Sequence, residues 1–318
     1  MAKTRIYYCC DIHGSDVCFR KALNVARYNV YNQDVVLISG DLTGKLIVPI
    51  IQQNGVYQTT FLGTNLTIKS QDELEDIKKR IADAGYYFYV AGPEEIEEIK
   101  NNHDKFSELF SELVVERMQN WVQLAEERLK GVKVKCYVMP GNDDDPRILP
   151  ILENSKFVTN PDSKVISIDG YHEMISMSAT NPTPWHTHGE LSEEELKNKI
   201  EKTIANVGNV KNLILNFHCP PYNSGLDLCP KLDENLRPVT IGGNVVMKPA
   251  GSIAVREAIE KYQPKLGLFG HIHESAGETY IGRTLCLNPG SEYSEGILRG
   301  YVVDLDKEKI LRYFRTEG

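Results

Sequence analysis

"IYYCCDIHGS", residues 6–15, carries five β-favouring residues straight into Asp-Ile-His and then into a Gly-Ser break. A short apolar run bounded by a turn signal reads as a strand buried on both faces, and here the Asp and His fall just past its carboxyl end. Four later stretches repeat the pattern: VVLIS (35–39) leads to Gly40-Asp41, KCYVMP (135–140) to Gly141-Asn142-Asp143-Asp144, LILNF (213–217) to His218, and KLGLF (265–269) to Gly270-His271-Ile272-His273. In an open α/β sheet the carboxyl ends of the parallel strands share one edge, where ligands bind. The five polar clusters are therefore expected to meet in space although they are spread over most of the chain.

Helical patterns such as CFRKALNVARY (18–28) and SIAVREAIEKY (252–262) lie between these runs, an alternation that argues for βα units around a buried sheet. TYIGRTLCLN (279–288), ILRGYVVDLD (297–306) and KILRYFR (309–315) follow one another with only turns between them, as in an antiparallel meander. The expected fold class is α/β, with mixed sheets and helices outside them, in a single domain over residues 1–318. Residues 45–130 read as an insertion within it. Asn54-Gly55 signals a β-hairpin whose first strand Pro49 demotes to an edge. Ser70-Gln71-Asp72-Glu73 has the spacing of a capping box before one helix, and a second begins at Gly92-Pro93 and runs towards Lys130-Gly131. Both helices are amphipathic and acidic, since residues 71–130 hold 15 Asp and Glu against 8 Lys and Arg. The apolar stripe from Ile96 to Leu129 suits packing over the sheet, or a lid or homodimer contact made through this segment.

Brought together, the clusters offer two aspartates, one asparagine and four histidines. Hard oxygens mixed with imidazole nitrogens suit Mn, Fe or Zn better than Ca, which prefers oxygen alone, or a structural zinc, which recruits cysteine. Seven ligands exceed what one ion takes. Shared through a bridging carboxylate, they serve two ions about 3.5–4 Å apart, a spacing that clamps a phosphoryl group. Singly the motifs are weak: D-x-H arises by chance, Gly-Asp is usually a turn, and H-x-H at a strand end is commonly structural. Five in order, each behind a hydrophobic run, carry the inference.

That ordered set resembles the signature of the calcineurin-like metallophosphoesterase superfamily, over residues 5–44, 132–145 and 211–292, with NPGS at 288–291 also family-like. The resemblance implies a four-layer α/β/β/α sandwich of two mixed sheets with outer helices. It assigns Asp11, His13 and His273 to one metal ion, Asn142, His218 and His271 to a second, and Asp41 as the bridge between them. It also implies that a hydroxide held between the ions attacks phosphorus in line. The chain departs from the family one residue after Asn142. There the pattern has a histidine that protonates the leaving group, whereas this sequence has Asp143, with Asp144 in the place of the acid that orients the histidine. A carboxyl group serves as general acid only if its pKa is raised towards working pH, and two nearby cations act the other way. Candidates for the missing donor are Asp143 and His186. His186 lies in NPTPWHTHGE (181–190), which also offers Trp185 for stacking on a substrate ring.

The expected function is hydrolysis of a small phosphodiester or activated phosphate ester by a two-metal enzyme, with a small phosphorylated molecule as substrate. The formal net charge is −8, and an acidic segment beside the site repels long nucleic acid, which counts against the nucleases that share the signature. A phosphomonoesterase is the other hydrolase reading. From a different class comes a metal-binding scaffold that has lost catalysis, although a scaffold has no need of all seven ligands. Seven cysteines without a CxxC pair read as reduced thiols. With no secretory h-region and no apolar run of 18 residues, the expectation is a cytoplasmic protein without a membrane partner.

Overall fold

The computed structural model describes residues 3–318. Two mixed sheets form its centre. The first has the strand order Ile310–Glu317, Arg299–Leu305, Thr4–Cys10, Val35–Ser39, Lys135–Met139, of which the last three run parallel. The second has the order Gly277–Ile281, Thr284–Asn288, Leu266–Leu268, Leu213–Phe217, Glu173–Met177, Val165–Ser167, parallel through its four central strands. All five runs that end in polar clusters are parallel members of these sheets, and Val35–Ser39 and Leu213–Phe217 are buried at every position. Covered on both faces, such strands lose the in-out alternation of a half-exposed sheet and read as continuous apolar runs.

Side-chain alternation along each strand divides the core. Ile6 and Tyr8 of the first strand pack, with Leu37, Tyr301 and Val303, against Met174, Ile214, Leu268 and Leu285 of the other sheet. Tyr7, Cys9, Val36 and Ile38 point the opposite way, into the helices Asp16–Tyr28 and His103–Leu129. On the far side of the second sheet Ile175, Leu213, Leu215 and Phe217 meet the helices Glu193–Ile204 and Ile253–Tyr262. The mixed α/β fold with outer helices is the one expected. No described helix is long and apolar enough to cross a membrane.

Residues 45–130 hold more structure than a hairpin and two helices. The turn at Asn54-Gly55 does join Ile47–Gln53 to Val56–Phe61, but Thr64–Ile68 extends the meander and Tyr87–Ala91 pairs parallel on the other side, giving four strands. Ile47–Gln53 is thus an interior strand despite Pro49. Pro49 lies inside the parallel ladder to Tyr87–Ala91, but its carbonyl faces Thr59 on the other side, where the ladder to Val56–Phe61 covers only Ile51 to Gln53, so proline's missing donor costs no ladder bond. The long acidic helix is split at Asn102 into Pro93–Asn101 and His103–Leu129. The Asn102 side chain accepts from the backbone N–H groups of Asp104 and Lys105, both at 3.1 Å, an N-cap that restarts the helix without disturbing its apolar period. The carboxyl half of the stripe, Val114, Met118, Trp121, Ala125 and Leu129, is spent inside the chain on the first sheet's core. Trp121 stacks on Phe19 at 4.2 Å and donates to Asp16 at 2.7 Å.

Candidate functional site

The loops that follow Thr4–Cys10 and Val35–Ser39 are laced together by backbone hydrogen bonds from Asp11 to Gly40, His13 to Asp41 and Gly14 to Leu42, at 3.1, 2.9 and 2.7 Å. To make that lattice Asp11, His13 and Asp41 take positive φ values of 53°, 38° and 42°, and His271 across the site takes 67°. Side-chain-bearing residues enter this region at a cost, and four in one place mark a strained, over-determined site. Gly40 has φ +79°, and a Cβ there would lie 1.9 Å from His218 Nδ1. On the other side Asp11 accepts the His271 backbone N–H at 3.1 Å, and Asn288 of NPGS braces the same loop by donating to the Ile272 carbonyl at 3.0 Å.

The side chains so placed fall into two groups. Asp11, His13 and His273 bring donor atoms within 4.8 Å of one another, as do Asp41, His218 and His271. Asp41 stands between them, with Oδ2 3.7 Å from His13 Nε2 and Oδ1 3.3 Å from His218 Nε2. His13 Nε2 and His273 Nε2 are 2.9 Å apart. His13 Nδ1, His271 Nδ1, both nitrogens of His218 and Asn142 Oδ1 are buried without a hydrogen-bond partner among the described residues. Each such atom costs about 1–3 kcal/mol, so this many in one cluster fits a set of lone pairs meant for a cation.

For His13 and His271 the electrostatics point the same way. Burial pushes His13 down to about 3 and His271 down to about 4, which leaves both imidazoles neutral at pH 7, the form that ligates. Burial opposes the charged form of His218 as well, but Asp41 overrides it and lifts the group to about 9. The Asp41 carboxyl in turn lies well below the usual range, because His218 and His13 outweigh its desolvation.

Asn142 is held by the loop that contains residues 181–190. Its Nδ2 donates to Thr187 Oγ1 at 2.7 Å, and the Thr187 hydroxyl donates onward to Glu190 Oε1 at 3.0 Å. Since the hydroxyl proton is committed to a carboxylate, the oxygen can only accept from the amide, and Asn142 Oδ1 is left free. Glu190 also gathers the backbone N–H groups of Thr183 at 2.9 Å and Thr187 at 2.8 Å. Trp185 and His186 lie on the outer part of this loop, both exposed, and no hydrogen bond or ion pair among the described residues joins them to the clusters. Asp144 is a loop clamp. Buried, it accepts from Gly141, Leu42 and the backbone and hydroxyl of Thr43 at 2.7–3.0 Å, while burial and Asp41 push its carboxyl up to about 6.

Asp143 sits at the mouth. Its carboxylate lies within 4.8 Å of donor atoms of His13 and Asp41, and its Oδ2 accepts from Lys45 Nζ at 2.7 Å. Sequence reasoning missed Lys45, Tyr293, Thr187 and Glu190. Tyr293 packs its ring 4.7 Å from that of His13 and 6.0 Å from that of His273. Residues 45–130 reach the site from behind. A Cβ on Gly44 would meet the Gly85 carbonyl at 2.1 Å, one on Gly85 would meet the His13 carbonyl at 2.4 Å, and one on Gly14 would meet the Gly44 nitrogen at 2.7 Å. Arg117 of the long helix donates to the carbonyls of Gly14 at 2.5 Å and Tyr86 at 3.2 Å.

A family model described as calcineurin-like phosphoesterase matches residues 4–275, which contain every residue of both groups. MJ1162, an uncharacterized protein of Methanocaldococcus jannaschii, is 33% identical over 160 residues, and the match spans 50% of this chain and 64% of that protein, under two thirds of its length. TT1561 of Thermus thermophilus superposes with a TM-score of 0.53 at 13% identity, covering 100% of this chain and 99% of that one. Another crystal structure superposes with a TM-score of 0.59 at 15% identity, covering 99% of each chain. At those identities the likeness is one of fold.

Proposed function

Because the chain belongs to the calcineurin-like phosphoesterase family, we propose that it hydrolyses a small phosphodiester or activated phosphate ester with two metal ions. Asp11, His13 and His273 would hold one ion, Asn142, His218 and His271 the other, and Asp41 both. The observation that carries this reading is Asp41 standing between two donor groups whose buried lone pairs have no partner. Ions bound there supply Lewis acidity towards a phosphoryl oxygen and lower the pKa of water.

The protein's own residues do the rest. His13 and His271 stay neutral through burial and keep their lone pairs available. Asn142 offers Oδ1 because Thr187 occupies its Nδ2. His273 and Asp143, with side chains 30% and 29% accessible, are partly exposed, as is His271, so substrate enters on their side. Asp143 accepts a hydrogen bond from Lys45, an arrangement unlike that of a proton donor. Esters whose leaving group departs without a proton from position 143 are the ones this mouth serves. The loop carrying Trp185 and His186 borders Asn142 and would form the outer wall against the organic part of the substrate.

The test is hydrolysis of bis-p-nitrophenyl phosphate beside p-nitrophenyl phosphate, by metal-stripped protein reloaded with Mn²⁺, Zn²⁺ or Mg²⁺, with bound metal measured in parallel. Two ions per chain and diester turnover above monoester turnover are expected, and Asp41→Asn should lose metal and turnover together. Full activity in Asp41→Asn would overturn the two-metal reading.

A further inference from the structure

Lys45 is an ammonium group at the mouth of the site, 2.7 Å from Asp143 Oδ2. Its backbone is fixed while its side chain is half exposed. Gly44 just before it donates to Tyr87 Oη at 3.0 Å and packs on Gly85, and Thr43 is held by Asp144. The Asp143 carboxylate it touches lies within 4.8 Å of donor atoms of His13 and Asp41, so the ammonium stands beside one half of the cluster. A rim ion pair of this exposure adds about 0–1 kcal/mol to stability, too little to explain a cation at this spot. An ammonium at the open side of a site for anions has a direct use, since a lysine binds phosphate as a mobile point charge.

We propose that Lys45 is a substrate-binding residue of this site, exchanging its contact with Asp143 for a phosphoryl or leaving-group oxygen, and that Asp143 is its resting partner, which the substrate displaces. The proposal rests on the phosphoesterase reading. It makes the anionic ester recognised by Lys45 a competitor of the Asp143 carboxylate, so the two members of one ion pair act on ligand affinity with opposite sign. A pair that served only stability would shift both the same way.

The experiment is calorimetric titration of inorganic phosphate into Mn²⁺-loaded wild type, Lys45→Met, Lys45→Arg and Asp143→Asn, with metal content and unfolding midpoint recorded for each. Lys45→Met should bind phosphate about tenfold more weakly at unchanged metal content, Lys45→Arg should recover most of the loss, and Asp143→Asn should bind more tightly. In turnover the Met substitution should raise KM more than it lowers kcat. Equal phosphate affinity in wild type and Lys45→Met, or weaker binding in both Lys45→Met and Asp143→Asn, would overturn the role of Lys45 while leaving the phosphoesterase reading intact. Metal-loaded wild type that takes up no phosphate and cleaves no ester would overturn both.

Discussion

Replacing Thr187 by valine keeps the shape of the side chain and removes the one oxygen that orients Asn142. That oxygen accepts from Asn142 Nδ2 at 2.7 Å because its own proton goes to Glu190 at 3.0 Å. Without it nothing distinguishes the two ends of the Asn142 amide, and the buried Oδ1 that has no other partner loses its fixed direction. The protein itself should lose about 1 kcal/mol, the net value of one hydrogen bond. The larger effect is on the ion that Asn142 would ligate: losing an orienting partner behind a ligand typically weakens affinity about 10–100-fold, or about 1.4–2.8 kcal/mol. Titrating Mn²⁺ into metal-stripped protein by calorimetry should show two sites in wild type and in Thr187→Ser, and one weakened site in Thr187→Val. Two unchanged affinities in Thr187→Val, or equal loss at both sites, would refute the reasoning, because the first removes the role and the second reduces it to general loosening.

Two further predictions concern the frame around the site. Gly40→Ala places a Cβ 1.9 Å from His218 Nδ1 on a backbone with φ +79°, so metal content should fall along with the unfolding midpoint, and an unperturbed His218 imidazole signal in NMR would contradict this. Asp304, buried in the first sheet, accepts from Lys3 at 2.6 Å and from Arg5 and Arg312 at 2.5 Å. Burial pushes its carboxyl up, but these hydrogen bonds prevail and hold it well below the usual range. A depressed folded pKa stabilises above the unfolded value of about 3.9 and is lost as pH falls below it. Asp304→Asn should therefore cost about 3 kcal/mol at pH 7, with the gap to wild type closing below about pH 4 in urea unfolding; a gap that stays constant would exclude the ion cluster as its source.

The fold and the two donor groups were legible in the sequence for one reason. Strands covered on both faces write unbroken apolar runs such as VVLIS and LILNF, and the side chains of interest sit directly after those runs, so local reading located Asp11, Asp41, His218 and His271, members of the two donor groups, without any tertiary information. What local reading missed depends on contacts between distant segments. Lys45 acquires meaning only from Asp143, Thr187 from Asn142, and Tyr293 from the ring of His13. The break in the acidic helix was legible at Asn101-Asn102 from residue type, its weakest point, and not from periodicity, because the Asn102 cap leaves the apolar period intact. Pro49 misled in the other direction, since a proline is compatible with an interior strand when its nitrogen faces the side whose ladder starts further along.

Gly14, Gly44 and Gly85 lie backbone on backbone, with the His13 carbonyl closing the stack. The three positions are far apart in the chain yet share a single volume, which makes them one unit of inheritance. Relatives that carry a side chain at 14 or 44 cannot accommodate the segment around residue 85 in this pose, and those that have lost the segment are released from glycine at both places. Aligned relatives should therefore gain and lose the three glycines together, and a chimaera that moves residues 45–130 onto another member of the fold would need Gly14 and Gly44 to travel with them.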